Sequence, residues 1–171
     1  MINKNIYFIL GAFFFIIFTR LLPHPPNFNS SIVLAFYFPN LFGRKYILLP
    51  LLAFIASDLF IGMHKFVFFT WGSIFLISYL SNYFFNLVSR SMGIIFCCLL
   101  FFLISNFGVW LFSGYYELNF NGLIKCLYMA LPFLQNSLLG NLLFALLIEY
   151  LISINSCKEK IKIINPLWKS N

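Results

Sequence analysis

The sequence predicts an all-α fold, a polytopic membrane bundle of about six transmembrane helices. Three observations predict it. Of 171 residues, 62% are hydrophobic and only 9% are charged, and the first 150 are broken by charge only at intervals. The apolar blocks between those charges match the roughly 20 residues a helix needs to cross the hydrocarbon. Six such blocks use about 120 residues, which leaves little for a soluble domain.

The elements follow in order. Ile6 to Phe18 is read as an uncleaved first helix over 5–20, because Thr19-Arg20-Leu21-Leu22-Pro23 stands where a small-residue cleavage site would be. The second span, 29–43, is short and contains Pro39, which is expected to kink it or end it. The third is placed at 45–63, the fourth at 66–88, the fifth at 92–112 and the sixth at 134–153. Between the last two, 114–133 mixes Tyr115, Tyr116, Glu117, Asn119, Asn121 and Lys125 with apolar residues, which suits an interfacial segment. Residues 1–156 are thus one transmembrane domain and 157–171 a basic tail.

Lys and Arg counts set the orientation. With a cytoplasmic N-terminus the inner side holds Lys4, Arg44, Lys45, Arg90, Lys158, Lys160, Lys162 and Lys169, and the outer side Arg20, Lys65 and Lys125. Eight against three places both termini in the cytoplasm, in a plasma (bacterial inner) membrane. The net charge of +7 therefore reflects membrane orientation and not nucleic-acid binding. Cys97, Cys98, Cys126 and Cys157 form no C-x-x-C pair and have no nearby histidine, so no metal, no cofactor and no disulfide framework is expected.

Polar residues are costly in such a chain, and most collect at the outer end. Arg20, His24 and Asn27 lie in or beside the first outer loop, which Leu22-Pro23-His24-Pro25-Pro26-Asn27 makes stiff. Arg20 is open to two readings, a cation snorkelling to the headgroups or a ligand for an anion. Asp58 is the only acidic residue in the first 116. A carboxylate inside a span costs about 2.5–3.5 kcal/mol and faces a partner or water. Arg20 and Lys65 are its candidate partners if it is structural. His64 and Lys65 follow in the next outer loop. Asn106 and Trp110, four apart, share a helix face, and Gln135, Asn136 and Asn141 lie in the outer half of the last span. The asparagines suit either solute contact or hydrogen bonds between helices. Trp110, Tyr115 and Tyr116 also fit an outer aromatic belt. Glu149, near the inner end, is expected to pair with a basic residue there. Ser78, Asn82 and Asn86 read as a packing stripe on the inner half of the fourth span.

Four motifs resemble an uncharacterised family of small bacterial membrane proteins. They are Arg20-Leu21-Leu22-Pro23-His24-Pro25-Pro26-Asn27-Phe28, Ser57-Asp58-Leu59-Phe60-Ile61-Gly62-Met63-His64, Asn106-Phe107-Gly108-Val109-Trp110 and Pro132-Phe133-Leu134-Gln135-Asn136-Ser137-Leu138-Leu139-Gly140. That family is similar in size and span number to the substrate-binding S-components of energy-coupling-factor transporters. The resemblance implies a six-helix, S-component-like bundle with an outward-facing site capped by the first outer loop. The candidate solute-binding set is Arg20, His24, Asn27, Asp58, His64, Asn106, Trp110 and Asn136. The chain departs from the pattern at Asn141, where an acidic residue is expected. Its first span also has only Gly11 and Ala12 for the small-residue docking face, while Ala53, Ala56 and Ser57 offer one in the third.

The expected function is capture of a small polar or anionic solute. No G-x-x-x-x-G-K-[ST] is present, so uptake would need an energising ATPase and a transmembrane coupling subunit as partners, besides the lipid bilayer. The alternative is a non-transporting scaffold or envelope-assembly protein. No G-x-S-x-G and no H-E-x-x-H occurs, and an enzyme is not expected.

Overall fold

A computed structural model describes residues 4–158. Among them all regular structure is helical: α1 (Lys4–Leu21), α2 (Ser31–Phe42), α3 (Leu48–Ile61), α4 (Val67–Leu80), α5 (Leu87–Phe112), α6 (Phe120–Met129) and α7 (Leu131–Lys158). Short 3-10 turns at Arg44–Tyr46 and Ser81–Tyr83 lead into α3 and out of α4. The expected basic tail lies outside the described residues from 159 onward.

The shortest of the expected spans forms the centre. Ile32, Val33, Ala35, Phe36, Tyr37 and Phe38 of α2 are all buried. Around them pack Phe54 of α3, Ile74 and Ile77 of α4, Ile94, Cys97 and Cys98 of α5, and Ala145 of α7. Pro39 stands inside α2, and the helix ends one turn later, where Gly43 takes φ 101° and its N–H closes on Pro39 O at 2.9 Å.

Polarity runs inside out. Ser57, Asp58, Ser73, Ser78, Ser81 and Asn141 are buried, while Phe60, Phe68, Val88 and Phe120 are each 74–76% exposed. Large apolar side chains stand exposed on α1, α3, α4, α5, α6 and α7, while α2 exposes none.

Two helices, residues 87–112 and 131–154, are long and apolar enough to cross a membrane. Of the others, α2, α3 and α4 are shorter than the sequence predicts, while α1 runs one residue longer at each end. The expected fourth span, 66–88, stops at Leu80. Asn40 on α2 causes the stop, donating to both Ser81 O and Phe84 O at 2.6 Å and so binding carbonyls that a continuing helix would use itself. Asn86, placed by its spacing in a packing stripe, instead caps α5, its Oδ1 accepting from Ser89 N at 2.8 Å. The helix therefore begins at 87, five residues before the expected start. The interfacial segment holds the amphipathic α6, capped by Asn119 Oδ1 on Gly122 N at 2.8 Å.

Candidate functional site

Alternating helices bring the end of α1, the start of α2, the end of α3, the start of α4, the second half of α5 and the start of α7 to one end of the bundle. A cavity of about 280 Å³ opens there. Its wall is polar in patches: Arg20, Asn27, Asn29, Ser31 and Ser137 line it, with Thr70, Ser105, Asn106 and Tyr116. Phe54, Phe66, Phe101 and Phe133 supply the apolar part, and Cys126, Met129 and Ala130 close it from α6.

Arg20 is the cation of this wall, and its charge is held from behind. Its Nη2 donates to Asp58 Oδ1 at 2.6 Å, and its Nη1 donates to Phe54 O at 3.0 Å and to Ser57 Oγ. The guanidinium lies 3.6 Å from the centre of the Phe54 ring. Asp58 uses its second oxygen to accept from Trp71 Nε1 at 2.7 Å. The Asp58 side chain is 2% exposed and that of Arg20 13%. Three helices, α1, α3 and α4, are thus tied together by one carboxylate.

Two polar atoms of the wall are buried without a partner, Ser31 Oγ and His64 Nδ1. Ser31 sits in the first turn of α2, where its backbone N–H is already satisfied by Asn29 Oδ1 at 3.0 Å. The His64 ring stacks on Phe66, centroids 4.0 Å apart. Burial lowers the His64 pKa below its ordinary 6.5; Asp58 opposes the shift and Arg20 adds to it. The imidazole is neutral near pH 7. Asn106 donates from its Nδ2 to Phe102 O at 2.8 Å within α5.

Of the eight candidate residues, Arg20, Asn27, His64 and Asn106 line the cavity. The other four are placed elsewhere. Asp58 lies behind Arg20 as its ion-pair partner. His24 is turned onto its own loop, its Nδ1 2.7 Å from Pro25 O. Trp110 donates to Glu117 O at 2.9 Å and braces the 113–119 segment. Asn136 is half-buried on α7, and its neighbour Ser137 takes the lining position. Asn141 is fully buried and structural: its Oδ1 accepts from Val33 N at 2.9 Å, and its Nδ2 donates to Ser137 O at 2.8 Å.

Sequence reasoning missed Ser31, Phe54 and Trp71. Ser31 looks like a helix start beside Ser30, and the two aromatics are indistinguishable from the many lipid-side rings. At the opposite end stands a second polar cluster, of which sequence reasoning expected only that Glu149 would pair with a basic residue, naming neither Arg90 nor Tyr37 in it. Arg90 forks onto Glu149, Nε to Oε1 at 2.7 Å and Nη2 to Oε2 at 2.9 Å, and Tyr37 donates to Glu149 Oε1 at 2.6 Å. Glu149 finds its expected basic partner, and α2, α5 and α7 are joined there.

A family model matches residues 1–160. The chain belongs to DUF6580, a family of unknown function. No curated protein and no solved structure matches this DUF6580 chain. The family assigns no activity, so a functional reading rests on the cavity.

Proposed function

We propose that the protein is an integral membrane subunit that captures a small polar solute in the cavity beside Arg20. The observation that carries this reading is the cavity itself: about 280 Å³ of space lined by Arg20, Asn27, Asn106 and Ser137 beside Phe54, Phe101 and Phe133, with two further lining residues, Ser31 and His64, each carrying a buried side-chain atom without a partner. Buried polar groups are ordinarily satisfied, and a pocket mixing apolar walls with a few convergent polar groups is what a small-molecule site looks like. The volume equals that of about nine molecules of liquid water.

The membrane arrangement we propose is the S-component-like one, with six spans, both termini cytoplasmic and the cavity facing outward. The inside-out polarity supports it. The short helices are compatible with it, since α2 is enclosed by other helices and meets little lipid. Residues 44–61 and 67–83 each run through a helix and a 3-10 turn, giving about 17–18 residues, the short end of the spanning range. The first outer loop would cap the site. Its left-handed Asn27, φ 64°, and the Phe28 N to Pro25 O bond of 2.9 Å turn the loop at residues 25–28, and Asn27 lines the cavity.

A scaffold that transports nothing is the second reading, and one observation favours it. Asp58 and Glu149, the two carboxylates within α3 and α7, both join helices to one another. Affinity purification of the tagged protein from its own membranes in mild detergent separates the two readings. Co-purification of an ATPase pair with a transmembrane coupling subunit is expected for the capture subunit. Recovery with envelope-assembly proteins in their place would move the scaffold to first position.

A further inference from the structure

We propose that the cavity selects an uncharged solute, recognised by hydrogen bonds to the neutral polar side chains of its wall, and that Asp58 makes the wall neutral by cancelling Arg20. The inference rests on the cavity being a solute site and names the class of solute.

The electrostatics of the wall lead to it. Arg20 is the one permanently charged residue lining the cavity. Asp58 holds its Nη2 at 2.6 Å, and Phe54 O and Ser57 Oγ hold its Nη1. An anion would have to compete with Asp58 for the same guanidinium. A cation would meet that guanidinium with the carboxylate hidden behind it. Either would bring an uncompensated charge into a desolvated site, where single charges are strongly disfavoured. His64 adds no charge, because burial keeps its imidazole neutral near pH 7.

What remains open for recognition is hydrogen bonding. The neutral polar residues of the wall include Asn27, Asn29, Thr70, Asn106 and Ser137, whose amides and hydroxyls can donate or accept. They stand beside the apolar side chains of Phe66, Phe101 and Phe133. The solute that fits is small and uncharged, with one apolar face and one polar edge.

Cys126 tests this without knowledge of the solute: it lines the cavity and is 1% exposed, its thiol 3.5 Å from Asn106 O, so a reagent must enter the cavity to reach it. In the full chain carrying Cys97→Ala, Cys98→Ala and Cys157→Ala, Cys126 is the remaining thiol. Three methanethiosulfonates of similar size are applied to the purified protein: 2-hydroxyethyl, 2-sulfonatoethyl and 2-(trimethylammonio)ethyl. In each reaction the Cys126 sulfur attacks the reagent's thiol sulfur and forms a disulfide. Methanesulfinate leaves with the electron pair, and the thiol proton goes to buffer. Each rate is divided by that of free 2-mercaptoethanol with the same reagent.

The neutral reagent is expected to react faster than both charged ones, by about tenfold or more. Asp58→Asn should raise the sulfonate-to-hydroxyethyl ratio by uncovering Arg20, and Arg20→Gln should raise the trimethylammonium ratio by uncovering Asp58. If either variant does not fold, the parent series still decides. A sulfonate or trimethylammonium rate equal to or above the neutral one overturns the inference. A Cys126 that no reagent reaches until the protein is denatured overturns instead the solute-site reading beneath it.

Discussion

The Arg20–Asp58 pair makes a quantitative prediction. Asp58→Ala would leave the Arg20 guanidinium buried among Phe54 and Ser57 with no counter-charge, and Trp71 Nε1 without its acceptor. Removing one partner of a buried pair costs about 3–5 kcal/mol. Arg20 retains 13% exposure toward the cavity, which relieves part of that, so the lower end, about 3 kcal/mol, applies. For a chain of this length 1 kcal/mol moves the unfolding midpoint by about 2–4 °C, giving a loss of about 6–12 °C. Arg20→Ala should cost a similar amount by stranding Asp58, whose side chain is 2% exposed. The double variant strands neither charge. Its midpoint should fall by no more than about either single one, a coupling of at least about 3 kcal/mol. Thermal unfolding of the four proteins in one detergent, followed by loss of the monodisperse peak, reads all three shifts. A double variant whose loss equals the sum of the singles would refute the reasoning, because the two charges would then not be compensating each other.

Other expectations follow from the same structure. Tyr37→Phe removes the 2.6 Å bond to Glu149 and should lower stability by about 1.5–3 kcal/mol, read as a midpoint shift, with Glu149→Gln costing more because Arg90 loses its counter-charge and one of its two acceptors. Asn141→Leu leaves Val33 N without its acceptor at the start of the central helix, and about 1–3 kcal/mol should be lost. Because burial holds the His64 pKa below 6.5, the folded state binds a proton less readily than the unfolded chain. Stability should therefore be full above about pH 6.5 and fall as the pH drops below it toward the lowered pKa, and His64→Gln should flatten that limb of a midpoint-against-pH curve.

The sequence exposed the chemistry by scarcity. In a chain with one acidic residue before position 117, Asp58 could not avoid notice, and Arg20 was one of its two candidate partners. Arg20, Asn27, His64 and Asn106 were legible because loops and helix ends of one parity must meet at one end of a bundle. Trp71 was not legible, since its role depends on the α3–α4 hairpin setting its indole 2.7 Å from Asp58 Oδ2. Of the Tyr37–Arg90–Glu149 cluster only a basic partner for Glu149 was legible; that Arg90 supplies it and Tyr37 joins them depends on packing between segments far apart in sequence. The end of the fourth helix at Leu80 depends on Asn40, a residue on another helix, which no reading of the 66–88 run alone contains. Local polarity did mark that place, in Ser81-Asn82-Tyr83, but a hydrophobic window averages over three such residues.

The claim that the cavity beside Arg20 holds a solute is tested most directly by mass spectrometry of the small molecules released on denaturing the protein, purified from its own membranes. The wild-type chain should be compared with Asn106→Leu, which makes the cavity wall apolar from the second half of α5 without touching either ion pair. The account predicts one small uncharged compound released in near-equal amount to the wild-type protein and strongly depleted from the variant. Identical small-molecule content in the two preparations would contradict it.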